Sequence, residues 1–336
     1  MDWNDFFKSV KEQRWESVYL FTGPEELTKK EALAAMRKAI LPAGLEQLNE
    51  VILEGVSAQA IIDAAETLPV MCERRIVVVR NWAPLLGGKA RNEDQQDAER
   101  ILEWLKNPPD SCILLFYNNV EIDGRKKLST ALKKMPGFVE FNYLSGASLA
   151  KWCAQQLKPF GKKISADAVN EMTLMAGQDL NRLSGELKKL TAFTEDRPEI
   201  TIADIRAVVS PSPEYSVFMI LDHLLEGRIA EATQVVNSVL QVDNPIRVIA
   251  LLSSQLRINA HMKYAIEARY STVEVCKALN INEYRARHIQ RQIRSIPANT
   301  LRSHYEACVD ADFAIKSGKM KDRAALDALM LKIAGN

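Results

Sequence analysis

An α/β domain followed by helices alone is predicted by three observations. Five short, continuous runs of Val, Ile, Leu and Phe alternate with helical segments in residues 1–142, such runs almost vanish from Tyr143 onward, and helical periodicity then carries to the C-terminus. Continuous apolar runs, unlike alternating ones, mark strands of a parallel sheet covered by helices on both faces. The first part is therefore doubly wound α/β, and the rest is all-α.

The predicted strands are 18–21, 51–53, 76–79, 113–116 and 138–141, separated by helical patterns at 25–40, 58–66, 93–106 and 125–134. Pro108-Pro109 and Pro136-Gly137 punctuate helix ends, because proline cannot continue the backbone ladder. In the second part, the polar stretch 145–148 opens a helix to Leu157, Ser165 precedes one to Ala176, and Asp179 can cap a third to Phe193. A fourth helix over 202–209 ends at Ser210-Pro211-Ser212-Pro213, which reads as a domain linker. Beyond it, apolar residues recur three and four apart through 217–225, 229–240, 245–264, 273–279 and 323–333. The domains are accordingly set at 1–142, 143–211 and 212–336.

A chain of 336 residues exceeds one hydrophobic core, and 47% hydrophobic with 26% charged residues is ordinary globular composition. No stretch approaches the ~20 continuous apolar residues of a membrane span, and the acidic start is unlike a secretory signal, so a cytoplasmic protein with no membrane contact is expected. The five cysteines form no C-x-x-C pair and the four histidines no H-E-x-x-H, which leaves no metal assigned.

The first strand runs into Thr22-Gly23-Pro24-Glu25-Glu26-Leu27-Thr28-Lys29-Lys30, the position of a phosphate-binding loop. Such a loop needs glycines so that amides can close around phosphate, then Lys and Ser or Thr for phosphate and Mg²⁺. This one has a single glycine and puts Glu25 and Glu26 where phosphate oxygens would sit. Arg80-Asn81-Trp82, not carboxylates, follow the third strand, and Asn118 and Asn119 after the fourth read as a turn or capping pair. No nucleophile elbow or Cys–His pairing competes. The expectation is no catalysis and no cofactor, with an ATPase of atypical loop as one alternative and a DNA-binding replication or repair module as another.

Between the helical pattern 58–66 and the third strand lies Thr67-Leu68-Pro69-Val70-Met71-Cys72-Glu73-Arg74-Arg75. Connections normally carry polar, turn-forming residues, so Leu68, Val70 and Met71 must be buried either by the fold or by a partner. A second concentration is basic: Asn282 to His304 holds Arg285, Arg287, Arg291, Arg294 and Arg302 against only Glu283, which suits phosphate or a solvated helix face.

The degenerate loop, the stretch Leu68 to Arg80, Gly177 with Asp179-Leu180, the stretch Glu186-Leu187-Lys188-Lys189-Leu190, Asn244-Pro245-Ile246 with the following helix to Arg257, and Asp312-Phe313-Ala314-Ile315-Lys316-Ser317-Gly318 together resemble the delta subunit of bacterial DNA polymerase III. The resemblance covers essentially the whole chain. It implies an AAA+-like first domain, a three-helix lid and a helical collar that joins the other clamp-loader subunits in a hetero-pentamer. It also implies a noncatalytic subunit that binds the ring-shaped sliding clamp and helps to open it on primer-template DNA. By that likeness Leu68, Val70 and Met71 form the clamp-binding wedge, with Val70 and Met71 at the exposed tip and Leu68 shared with the core. Tyr284, with Arg285 and Arg287, and Lys316 and Lys319 beside a glycine-containing loop, become candidate DNA contacts.

Overall fold

The structure is a computed structural model that describes residues 3–88, 91–279 and 281–335. Its contacts divide the chain into two compact units, Met1–Leu144 with Asp179–Asn181, and Ser145–Gln178 with Arg182–Asn336.

In the first unit the order is α1 (Trp3–Lys11), β1 (Val18–Thr22), α2 (Glu26–Ile40), α3 (Glu46–Asn49), β2 (Glu50–Glu54), α4 (Ala58–Glu66), β3 (Arg75–Arg80), α5 (Asn92–Trp104), β4 (Cys112–Tyr117), α6 (Lys127–Lys133) and β5 (Phe138–Glu140). The strands form one sheet in the order β2-β3-β4-β1-β5, every pair parallel. This is the doubly wound parallel α/β class expected. Successive residues of each strand feed opposite faces: Tyr19, Phe21, Val78 and Leu115 pack under α1 and α2, while Leu20, Val77, Val79 and Phe116 meet α4, α5 and α6. The chain leaves β1 for the far edge strand and later returns on its other side, so the C-terminal ends of β1 and β4 border a topological switch point, where such sheets bind ligands.

The second unit contains α7 (Gly146–Leu157), β6 (Lys163–Ile164), α8 (Ala166–Ala176), most of α9 (Leu180–Phe193), β7 (Glu199–Ile200), α10 (Ile202–Val208), α11 (Pro213–Leu225), α12 (Ile229–Val239), α13 (Pro245–Glu267), α14 (Thr272–Leu279), α15 (Glu283–Gln292), α16 (Ala298–Lys316) and α17 (Asp322–Ala334). β6 and β7 pair in a two-residue parallel ladder, too short to leave a sequence signature. Helices α11 to α17 share one core that includes Leu221, Leu252, Leu256, Ile289, Leu301 and Leu326.

The Ser210–Pro213 tract is held and not free. Ser212 caps α11 by accepting from the Tyr215 N–H at 3.1 Å, its own N–H donates to Met175 O at 2.7 Å, and Arg182 donates to the carbonyls of Ser210 and Pro211. Proline at the first helical position with serine before it is a helix start, which explains why a Pro/Ser-rich stretch here does not act as a loose linker. No described helix is long and apolar enough to cross a membrane.

Candidate functional site

The switch point of the sheet is filled by the chain's own groups. Gly23 has φ +109, and a Cβ there would lie 2.3 Å from Phe141 O, so only glycine lets β1 turn beside the end of β5. Glu25 follows as N-cap of α2, 1% exposed, and its carboxylate accepts from the Leu27 N–H at 2.9 Å and the Leu180 N–H at 3.2 Å. A helix N-terminus is a ready anion site, and here the anion is Glu25 itself. Burial pushes its carboxyl up, and the two amide hydrogen bonds draw it part of the way back.

Lys29, the counterpart of a phosphate-binding lysine, is fully buried; its ammonium donates to Asn118 O at 2.7 Å and pairs with Glu26 at 2.5 Å. Asn118 keeps its backbone N–H on Phe21 O, and neither side-chain polar atom finds a partner among the described residues. The Asn119 N–H donates to Asn81 Oδ1 at 2.9 Å. The pair thus sits at the end of a strand and does not cap a helix. These residues do not fit a nucleotide: the amides and the lysine that phosphate would need are already engaged.

The apolar run behaves in the opposite way. Ala58–Glu66 is helical as expected, stops at the C-cap Thr67, and cannot resume because Pro69 lies two residues on. Leu68 is 75% exposed, Met71 85% and Val70 44%. Leu68 therefore belongs to the tip and is not shared with the core, which corrects the sequence-based division; Val70 is the most enclosed of the three. The backbone is tied from several directions. Buried Asn49 brackets Val70, the Arg75 guanidinium donates to Thr67 O at 3.2 Å, and Met71 is held at φ +54. A non-glycine residue in that region persists only where its surroundings impose it. Asn49 had no signal in the sequence, since its partner is distant along the chain.

On α15 the structure sorts the basic residues. Tyr284 donates its hydroxyl to Glu171 at 2.7 Å, and Arg206 donates to the other carboxylate oxygen at 2.7 Å. Burial pulls the Glu171 carboxyl up, but the Tyr284 and Arg206 hydrogen bonds outweigh it and hold it below its ordinary value; burial and Glu171 push the Tyr284 phenol up to about 12. Arg285 turns inward, donating to Gln255 at 2.9 Å, and burial lowers its pKa. Both side chains are half-buried and already hydrogen-bonded within the fold. Arg302 is paired with Glu306, Lys316 with Asp312, and Lys319 lies over the Phe313 ring. Exposed Arg287, Arg291 and Arg294 gather with Lys263 and Tyr270 around a cleft of about 560 Å³ that has no acidic residue among its described lining. Lys263 and Tyr270 lie on and just beyond α13, outside the basic segment picked from sequence.

Two family models match the chain. Residues 19–142 match "DNA polymerase III, delta subunit" and residues 214–333 match the C-terminal domain of the DNA polymerase III delta subunit. The chain is 28% identical over 334 residues to the DNA polymerase III subunit delta of Bacillus subtilis, covering 98% of this chain and 96% of that one. It is 24% identical over 187 residues to the probable DNA polymerase III subunit delta of Aquifex aeolicus, covering 54% and 53% respectively. Among solved structures, the Bacillus subtilis DNA clamp loader delta protein superposes with a TM-score of 0.63 at 25% identity, over 99% of this chain and 100% of that one.

Proposed function

This chain belongs to the DNA polymerase III delta subunit family, and on that premise we propose that it is a noncatalytic clamp-loader subunit that grips the sliding clamp through Leu68, Val70 and Met71 and helps to open the ring. The observation that carries this reading is the pair Leu68 and Met71, largely exposed on a backbone that is fixed. A short apolar tip on a set loop can enter a preformed pocket, where a few buried side chains dominate the binding energy. Met71, unbranched and polarizable, adapts to irregular pockets. The self-filled switch point supports the division of labour in which other subunits hydrolyse ATP. Co-purification with the cognate sliding clamp, without nucleotide, is the direct test: a stable complex is expected, and its absence would overturn the reading.

DNA contact is proposed at the cleft of Lys263, Arg287, Arg291 and Arg294, with Tyr270 available for stacking. Replacing Arg287, Arg291 and Arg294 together by alanine should weaken binding to primer-template DNA and flatten its salt dependence by about one unit of slope per lost phosphate contact. An unchanged slope would remove the cleft from the DNA path. Exposed Val309, Phe313 and Leu331, on α16 and α17, suit the collar contacts with other loader subunits.

A further inference from the structure

One of the ties on the tip comes from a side chain 21 positions away. Asn49, the last residue of α3, is fully buried, and its amide reads both polar groups of Val70: Oδ1 accepts from the Val70 N–H at 2.7 Å and Nδ2 donates to Val70 O at 2.9 Å. Nδ2 also donates to Leu45 O at 3.2 Å, so the amide itself cannot swing away without losing a third bond. This two-point grip does for one residue what a neighbouring strand does for a ladder position.

It acts immediately before Met71, whose φ of +54 is the unfavourable step of the loop. Without the grip, the chain from Thr67 to Arg74 could relax Met71 into an ordinary conformation and fold its apolar side chains back onto the surface. A loop that must be ordered at the moment of docking binds more weakly than one already set, because the ordering entropy is charged to the complex.

We infer that Asn49 is a positioning residue for the docking tip, presenting Leu68 and Met71 to a hydrophobic pocket of the clamp through the backbone of Val70. The inference rests on the reading of the tip as the clamp contact, and the experiment separates the two. Clamp affinity is measured by calorimetry for the full chain, Asn49→Ala, Leu68→Ala/Met71→Ala, and the triple variant, with hydrogen exchange at the Val70 amide. Asn49→Ala should weaken clamp binding about tenfold and speed exchange at Val70 while strands β2 and β3 stay protected. In the truncated-tip background the same substitution should change affinity less than about twofold, since a residue that acts through the tip has nothing left to position.

If Leu68→Ala/Met71→Ala binds the clamp as the parent does, the docking reading fails. If that variant is weakened but Asn49→Ala is not, or if Asn49→Ala costs the same factor in both backgrounds, the positioning role is overturned. Should alanine unfold the chain, Asn49→Asp keeps the size and the acceptor for the Val70 N–H while losing the donor to its carbonyl. Weaker clamp binding by that variant is expected, and unchanged binding again overturns the role.

Discussion

Two loops of the first unit, Thr22–Lys30 and Thr67–Arg75, leave their secondary-structure elements in contrasting states. In the first, polar groups that could have met a ligand are used up internally: Glu25 takes the amides of Leu27 and Leu180, and Lys29 is spent on Asn118 and Glu26. In the second, the backbone is satisfied and set, yet Leu68 and Met71 are left in solvent. The difference teaches what leaves a loop able to gain by binding. A loop whose functional groups all have internal partners gains little by binding, whereas a loop with ordered backbone and unburied apolar side chains gains whatever a partner can bury.

That contrast can be broken at either end. The largest effect is expected from Gly23→Ala, which forces a Cβ into the Phe141 carbonyl at a left-handed φ. It should cost about 3 kcal/mol of stability, read as a shifted denaturation midpoint of the first unit. Leu68→Ala/Met71→Ala should do the reverse, leaving stability within about 0.5 kcal/mol because neither side chain is packed in the free chain. The smallest effect concerns pH. Because burial raises Glu25 above its ordinary value, its contribution to stability is full below that value and is lost as pH rises through the raised one. The stability advantage of the parent over Glu25→Gln should therefore grow from about pH 7 to about pH 4. A constant difference would mean that burial does not raise the Glu25 carboxyl.

What the sequence disclosed followed from burial. Ile76 to Val79 and Ile113 to Phe116 lie in central strands covered on both faces, so their runs are continuous and unmistakable. Glu25 and Glu26 were legible as a broken phosphate loop, but charge alone suggested repulsion, while the structure shows that one of them occupies the anion seat. Direction was harder. Leu68 carries the same chemistry buried or exposed, and what turns it outward is a backbone pinned by Asn49 from another element. Arg285 could have been placed from periodicity, since Arg285, Ile289 and Gln292 share one helix face and Ile289 is core. The short β6–β7 ladder and the fixed Ser210–Pro213 tract depend on tertiary partners, which local pattern does not carry.

The central claim is that the Leu68–Met71 tip is the working surface of this unit. Titrating the cognate sliding clamp into the parent and into Leu68→Ala/Met71→Ala tests it most directly. Burying each side chain contributes about 1.5 kcal/mol or more, so the double variant should bind roughly 100-fold more weakly with an unchanged melting profile. Equal affinity for the two proteins would contradict the account.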